Sequence, residues 1–271
     1  MDHTGLGLAR SIPALTIVGY IVENVRNLLY RRPEIYELVY PEPNDETPMM
    51  CRRMFERYLP GPPRSILDIG CGTGRDINSL ACKNADCVGV DISSEMIRYA
   101  KSHRPQIRFE VGDMRNFRLN RSFDTILSMG SAFMYATTNA YVEAVLDTFA
   151  AHAHDGSLLI LDINNSASYL PDGSFRQTSE FVVNLPEFTA KAKTDYSFNR
   201  RRQILIRRRT WQIHGEPPVD DYCEYRMFFP VELEYLLATR HFKIVGMFDN
   251  MQLEESDLTG PRLYVASLFQ A

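Results

Sequence analysis

The chain has 271 residues, 45% hydrophobic and 24% charged, with a formal net charge of −4. That is ample material for a folded core, either one large α/β domain or a domain with an insertion, and it excludes a global attraction to nucleic acid or an anionic membrane. Five cysteines (Cys51, Cys71, Cys82, Cys87 and Cys223) form no C-x-x-C pair, which argues against a disulfide framework or structural zinc and for reduced thiols in a soluble, cytoplasmic protein that needs no metal.

The first apolar stretch, residues 12–22, is interrupted at Pro13 and followed by Glu23, Asn24 and Arg26. It is too short to span a bilayer and lacks the basic start and cleavage site of a signal peptide. A helix is expected there, packed on its own domain or on a sister subunit, which leaves a homo-oligomer open. Ile17, Ile21, Val25 and Leu28 repeat at helical spacing, as do Met50, Met54 and Tyr58. The Pro-rich stretches 41–48 and 60–63 are expected to break these helices.

After Pro63 strands and helices alternate. The texture predicts strands over 65–69, 87–90, 107–111, 123–128 and 157–162. Helices are predicted to residue 84, over 93–102 with Ser93 or Ser94 as N-cap, and over 139–152. Such a rhythm implies a parallel, doubly wound sheet. From 171 to 229 the period changes. Phe188, Ala190, Ala192, Thr194, Tyr196 and Phe198 alternate with polar neighbours, and Cys223, Tyr225, Met227 and Phe229 do the same. This predicts an inserted antiparallel sheet. Pro230 opens a helix to about residue 240, and strands over 241–248 and 262–269 close the chain. The expected divisions are 1–60, an N-terminal helical cap; 61–170, a cofactor-binding core; 171–229, the inserted sheet; and 230–271, completion of the core.

The chemistry is concentrated in Ile66-Leu67-Asp68-Ile69-Gly70-Cys71-Gly72-Thr73-Gly74. A buried strand runs into a turn with three glycines, where a ligand can approach the backbone without meeting a Cβ. The helix that follows can favour an anionic group at its N-terminus. Asp91 ends the next strand, 17 residues after Gly74, where a carboxylate can accept hydrogen bonds from ribose hydroxyls. Asp113 follows the third strand and is placed to accept from an adenine amino group. Either aspartate alone is an ordinary turn residue; two at successive strand ends point to a nucleoside ligand. A dinucleotide dehydrogenase would carry Gly or Ala at position 75, which is Arg75 here.

Together Leu67–Gly74, Gly89-Val90-Asp91-Ile92-Ser93-Ser94-Glu95-Met96 and Gly112-Asp113-Met114-Arg115 resemble the cofactor motifs of class I S-adenosylmethionine-dependent methyltransferases. The resemblance implies an α/β Rossmann-like doubly wound sheet of seven strands, the last antiparallel, with a helical cap and an inserted antiparallel β-sheet lid. It also implies a site. Asp68, Gly70, Cys71, Gly72 and Gly74 surround the methionyl part of S-adenosyl-L-methionine, Asp91 takes the ribose, and Ile92 and Met96 belong to the same cofactor site. Asp113 and the Met114 amide take the adenine, and the Ser128–Gly130 segment, with Ser128 and Met129 as site residues, lies near the sulfonium and methionyl ammonium. Pro33–Tyr40, Phe228–Leu233 and Arg262–Val265 are similar to small-molecule N-methyltransferases of aminosugar and antibiotic pathways, in which an N-terminal tyrosine, here Tyr36, reaches the cofactor. Where that pattern commonly has a histidine after the fourth strand, this sequence has Tyr135.

An activated methyl donor asks the protein chiefly to align a nucleophile and exclude water. An amine has only to be neutral, whereas a hydroxyl benefits from a base or metal. With no histidine near the fourth strand, transfer to the amine nitrogen of a small molecule in natural-product biosynthesis is expected. O- or C-methylation is the alternative, with an RNA methyltransferase or a binding protein without catalysis behind it. Tyr135 and Tyr40 are the candidates for orienting the acceptor. Arg200-Arg201-Arg202 and Arg207-Arg208-Arg209 read as a solvated face, or else as a grip on a substrate phosphate or carboxylate. Trp211, Phe198 and Tyr225 are either packing or acceptor-pocket walls. The acidic total charge speaks against nucleic acid.

Overall fold

The computed structural model describes residues 27–41, 46–81, 85–170 and 175–271. The expected helix over 12–22, the positions Ile17, Ile21 and Val25, and Cys82 lie outside them.

The described chain opens with two short helices, α1 (Leu28–Arg31) and α2 (Pro33–Val39). Helix α3 (Glu46–Tyr58) follows and includes Pro48. The expected break falls between Val39 and Glu46, and Pro48 itself lies in the first turn of α3, where a proline gives up only an N–H that has no partner within the helix. Strand β1 (Ser65–Ile69) then leads through the glycine turn into α4 (Arg75–Leu80). Next come β2 (Asp86–Asp91), α5 (Ser94–His103), β3 (Arg108–Val111), β4 (Thr125–Ser128), α6 (Asn139–Ala151) and β5 (Leu158–Asn164). Ser93 caps α5, its hydroxyl accepting from the Met96 amide at 3.2 Å.

The chain then leaves the central sheet for β6 (Thr178–Leu185), β7 (Phe188–Asn199), β8 (Ile204–Ile213) and β9 (Val219–Arg226). These form an antiparallel sheet in the order β6-β7-β8-β9. Met227 and Phe229 lie beyond β9, with Phe229 at the N-cap of α7 (Pro230–Ala238), because Pro230 favours the start of a helix. The closing strands β10 (Phe242–Phe248) and β11 (Arg262–Phe269) return to the central sheet. Its order is β10-β11-β5-β4-β1-β2-β3, with β11 antiparallel to both neighbours and the rest parallel.

Alternation along the central strands divides the core in two. Leu67, Val90, Ile126 and Leu161 pack with Val142, Leu146 and Phe149 of α6 on one face. Ile66, Leu127, Ile160 and Tyr264 pack with Met50 and Met54 of α3 and Ile97 of α5 on the other. A third cluster joins Leu28, Leu29, Ile35 and Val39 to Ala190, Ala192, Trp211 and Ile213, so α1 and α2 pack on the second sheet. The strand ends are thereby roofed from two directions.

The glycine turn depends on backbone freedom at Gly74, which has φ +81°; a Cβ there would come 2.4 Å from the buried Phe109 ring. Gly74→Ala is expected to cost about 1–3 kcal/mol through overpacking and left-handed strain. Urea unfolding should report it as a lower midpoint at unchanged slope.

Candidate active site

The C-terminal ends of β1 to β4 open into a chamber of about 630 Å³. Its walls include Asp68, Gly70, Cys71, Gly72, Asp91, Ile92, Asp113, Met114, Met129 and Tyr135, with Tyr36 from α2. Ten of the thirteen expected cofactor residues and one of the two expected acceptor-orienting tyrosines therefore meet in one place. Four expected residues lie elsewhere. Gly74 starts α4 against Phe109. The Met96 side chain is buried under α5, one helical turn away from the mouth, and Ser128 is the last buried residue of β4, with Met129 and Gly130 reaching the chamber instead. Tyr40 is partly exposed, lines only a second, adjoining chamber, and accepts a hydrogen bond at its carbonyl from Arg75.

Asp91 organises the inner wall. One carboxylate oxygen accepts from the Gly72 amide at 2.9 Å and the other from the Ser93 amide at 2.8 Å. Burial pushes this carboxyl above its ordinary range, and the backbone donors partly counter that. Each oxygen retains a lone pair for a ligand. Asp68 is more extreme. It is 1% exposed, Oδ1 finds no hydrogen-bond partner among the described residues, and burial, then the charges of Asp76 and Asp91, hold its carboxyl well above the usual range.

The turn itself behaves differently from the expectation of an anion-binding helix start. The Gly70 and Cys71 amides donate to the Val90 carbonyl at 2.7 and 3.0 Å, Gly72 to Asp91, and Gly74 to the Cys71 carbonyl at 2.9 Å. Its contribution is bare space, because a Cβ at Gly72 would meet nothing within 4 Å. The chamber charge confirms the point: Asp68, Asp76, Asp91, Asp113 and Glu224 face one arginine, Arg115. Such walls repel a pyrophosphate and suit a cationic ligand.

The second chamber, about 790 Å³, has the opposite character, with Arg75, Arg176, Arg207, Arg209 and Arg262 facing Asp76 and Asp162. Alternation along β8 splits the arginine run. Arg207 is buried and Arg209 half-buried on the inner face, while Arg208 and residues 200–202 are exposed. The solvated-face reading thus holds for only part of the cluster. Trp211 is fully buried packing, donating from Nε1 to Asp221 at 2.7 Å, and Phe198 packs with Tyr169 and Phe175; Tyr225 does line the chamber.

Asn27, Tyr30, Tyr36, Asp76 and Gly130 line both chambers. At this junction Tyr135 Oη lies 3.2 Å from both Tyr30 Oη and Tyr225 Oη, and Arg207 donates to Tyr225 Oη at 3.1 Å and to Cys223 Sγ at 2.9 Å. Burial raises the Tyr30, Tyr135 and Tyr225 phenols far above their ordinary range, so all three stay neutral. Tyr30 and Asp76 escaped the sequence reading. Tyr30 shares its segment with Tyr36 and Tyr40, which was a usable signal, whereas nothing separated Asp76 from an ordinary first-turn acid.

A family profile described as a methyltransferase domain matches residues 66–156. YqeM of Bacillus subtilis, named as a methyltransferase, is 30% identical over 220 residues, covering 78% of this chain and 86% of that protein. The chain belongs to the S-adenosylmethionine-dependent methyltransferases. A dTDP-3-amino-3,4,6-trideoxy-alpha-D-glucopyranose N,N-dimethyltransferase of Streptomyces venezuelae is 33% identical over 98 residues, 36% of this chain and 41% of its own. The match thus spans about two fifths of that relative's length. The fold agrees with the crystal structure of an S-adenosylmethionine-dependent methyltransferase from Clostridium acetobutylicum at a TM-score of 0.75 and 17% identity, covering 90% of this chain and 100% of that one.

The first chamber fits this methyltransferase cofactor, whose sulfonium and ammonium are cationic. The orphaned Asp68 oxygen and the free lone pairs of Asp91 are acceptors open to such a ligand, and the Cβ-free space at Gly72 leaves room for it. Among the described residues no helix is long and apolar enough to cross a membrane, and no cluster of metal-ligating side chains occurs.

Because the Asp68 carboxyl titrates higher folded than unfolded, the native state holds its proton longer, and this group lowers stability as pH rises through the interval between the two values. Asp68→Asn is therefore expected to raise the melting temperature of the ligand-free protein at neutral pH. The gain should be ~2–4 °C for each kcal/mol relieved, and should disappear in acid where both states are protonated. Calorimetric scans across pH check this.

Proposed function

We propose that this chain methylates an amine nitrogen of a small molecule, one bearing a phosphate or carboxylate, in natural-product biosynthesis. The observation that carries the reading is the junction between the chambers: three neutral phenols and, among the described residues, no histidine. His154 pairs with Asp124 and His152 accepts from the Leu119 amide, both at the far edge of the sheet. An amine requires only to be uncharged and aligned, whereas an alcohol benefits from a stronger base; the basic group that lines the junction is the Asp76 carboxylate, ordinarily a weaker base than an imidazole and suited to accepting from an amine N–H. The aminosugar relative supports the same class. The arginine-lined chamber supports an anionic acceptor, since among the described residues no carboxylate pairs with Arg176 or Arg209.

Bound S-adenosylmethionine supplies a methyl group already activated on a sulfonium. In this reading the protein's work is placement. Asp91 accepts from the ribose hydroxyls, Asp68 faces the cationic methionyl end, and Asp113 and the Met114 amide hold the adenine. Tyr135, Tyr30 and the Asp76 carboxylate hold the acceptor's N–H groups, so that its lone pair faces the first chamber. Arg209 and Arg176 bind the acceptor's anionic group. Tyr36 and Tyr40 stay in place through Arg75, which donates to Tyr36 Oη at 3.2 Å and stacks 4.9 Å from its ring. This contact ties α2 to the start of α4 beside the junction.

Purified protein offered labelled cofactor with panels of amines, alcohols and RNA is expected to methylate amines. Those carrying phosphate or carboxylate should turn over best, at rates insensitive to moderate salt. Preferential labelling of alcohols or RNA would refute the assignment. Asp91→Ala is expected to weaken cofactor binding by ~1–3 kcal/mol in calorimetry. Tyr135→Phe should lower turnover and leave that affinity nearly unchanged.

A further inference from the structure

Among the described residues Arg115 is the one basic side chain lining the acid-rich chamber, and its position is highly constrained. It folds back on Asp113 two residues earlier. Its amide donates to Oδ1 at 2.9 Å, Nε lies 2.9 and 3.0 Å from Oδ1 and Oδ2, and Nη2 also reaches Oδ2. Both side chains are largely buried, 17% and 16% exposed. The guanidinium also stands 4.4 Å from the centre of the Tyr141 ring, in the first turn of α6, where Thr138 caps the helix by accepting from the Tyr141 amide at 3.1 Å. Arg115, Tyr141 and Asp113 all face the chamber beside Ile92 and Met114.

A carboxylate on a surface turn normally samples several rotamers. A planar fork that grips both its oxygens, itself stacked on an aromatic face, leaves it one. The fork occupies one edge of the carboxylate and turns what remains toward the chamber.

We propose that Arg115 is a positioning residue for base recognition: it locks Asp113 as a hydrogen-bond acceptor facing the 6-position of the cofactor's purine, while Tyr141, held under the same guanidinium, walls the outer side of the ring. The inference rests on the adenine assignment of Asp113. It adds that the choice between a 6-amino and a 6-oxo purine is set by a residue that need not touch the base. A 6-amino group donates to the fixed carboxylate; a 6-oxo group brings an oxygen against it.

The test is binding, with S-adenosylhomocysteine and S-inosylhomocysteine titrated calorimetrically into the full-length protein. The wild type is expected to prefer the adenosyl ligand by about tenfold or more, the equivalent of one hydrogen bond to a charged group. Arg115→Met should erase most of that preference, and Arg115→Lys, which keeps the charge without the fork, should restore only part of it. Tyr141→Ala should weaken both ligands alike. Circular dichroism verifies folding, and if Arg115→Met does not fold, the Lys variant decides by the same ratio. An unchanged ratio in the Arg115 variants overturns the inference while leaving the cofactor reading intact. Failure of the wild type to bind S-adenosylhomocysteine overturns both.

Discussion

One carboxylate joins the parts of this molecule that have to meet. Asp91, at the end of β2, takes the Gly72 amide on one oxygen and the Ser93 amide on the other. The glycine turn and the start of α5 are thus held to a common point. Ser93 extends the connection, because its hydroxyl donates to the Tyr30 carbonyl at 2.9 Å and so ties the N-terminal roof to the same strand end. Arg104 adds a parallel tie, donating to the Thr73 carbonyl at 3.1 Å and pairing with Glu37 of α2 at 3.4 Å. A buried carboxylate needs donors to remain charged. Here the donors are backbone groups of the two segments that shape the ligand space, so satisfying the charge and building the site are one event.

From that point the two chambers acquire opposite polarity for topological reasons. The first collects aspartates because β1 to β3 all end on the same edge of the sheet, and each strand end contributes one carboxylate. The second collects arginines from β8 and β11, elements that arrive from other directions. Arg262 reaches across to pair with Asp162 and to donate to Ser131 Oγ at 3.0 Å, while the Gly130 amide donates to Asp162 at 3.0 Å. This pair holds Gly130 and Ser131, both with positive φ, in the tight turn between the chambers. A cationic donor and an anionic acceptor would each find the complementary room, with neutral phenols between them.

The central sheet was legible because its signals are local. An apolar run, a glycine turn and an acid at each strand end lie within a few residues of one another, and parallel topology brings those ends together. The inserted sheet was legible from period-two alternation, which also foretold the buried Ala190, Ala192 and Thr194. What failed was direction at single positions. Met96 belongs to the right segment but points under its helix, and Ser128 precedes by one residue the position that turns toward the ligand. In the arginine run alternation sends Arg207 inward and Arg208 outward, a distinction invisible to a count of charges. Tyr30 had a local signal in the neighbouring Tyr36 and Tyr40, whereas the place of Asp76 depends on how the cap meets the sheet, a contact between segments remote in sequence that no local pattern encodes.

The second sheet is an excursion: the chain leaves the main layer after the short 3-10 turn Ser166–Tyr169 and rejoins it at Pro230. The strands whose ends hold the first chamber precede that departure, and the two that complete the layer follow the return. The excursion is continuous in sequence, so it adds a second layer without altering the order of the central strands, and among the described residues it touches the first chamber through β9, at Tyr222, Cys223 and Glu224.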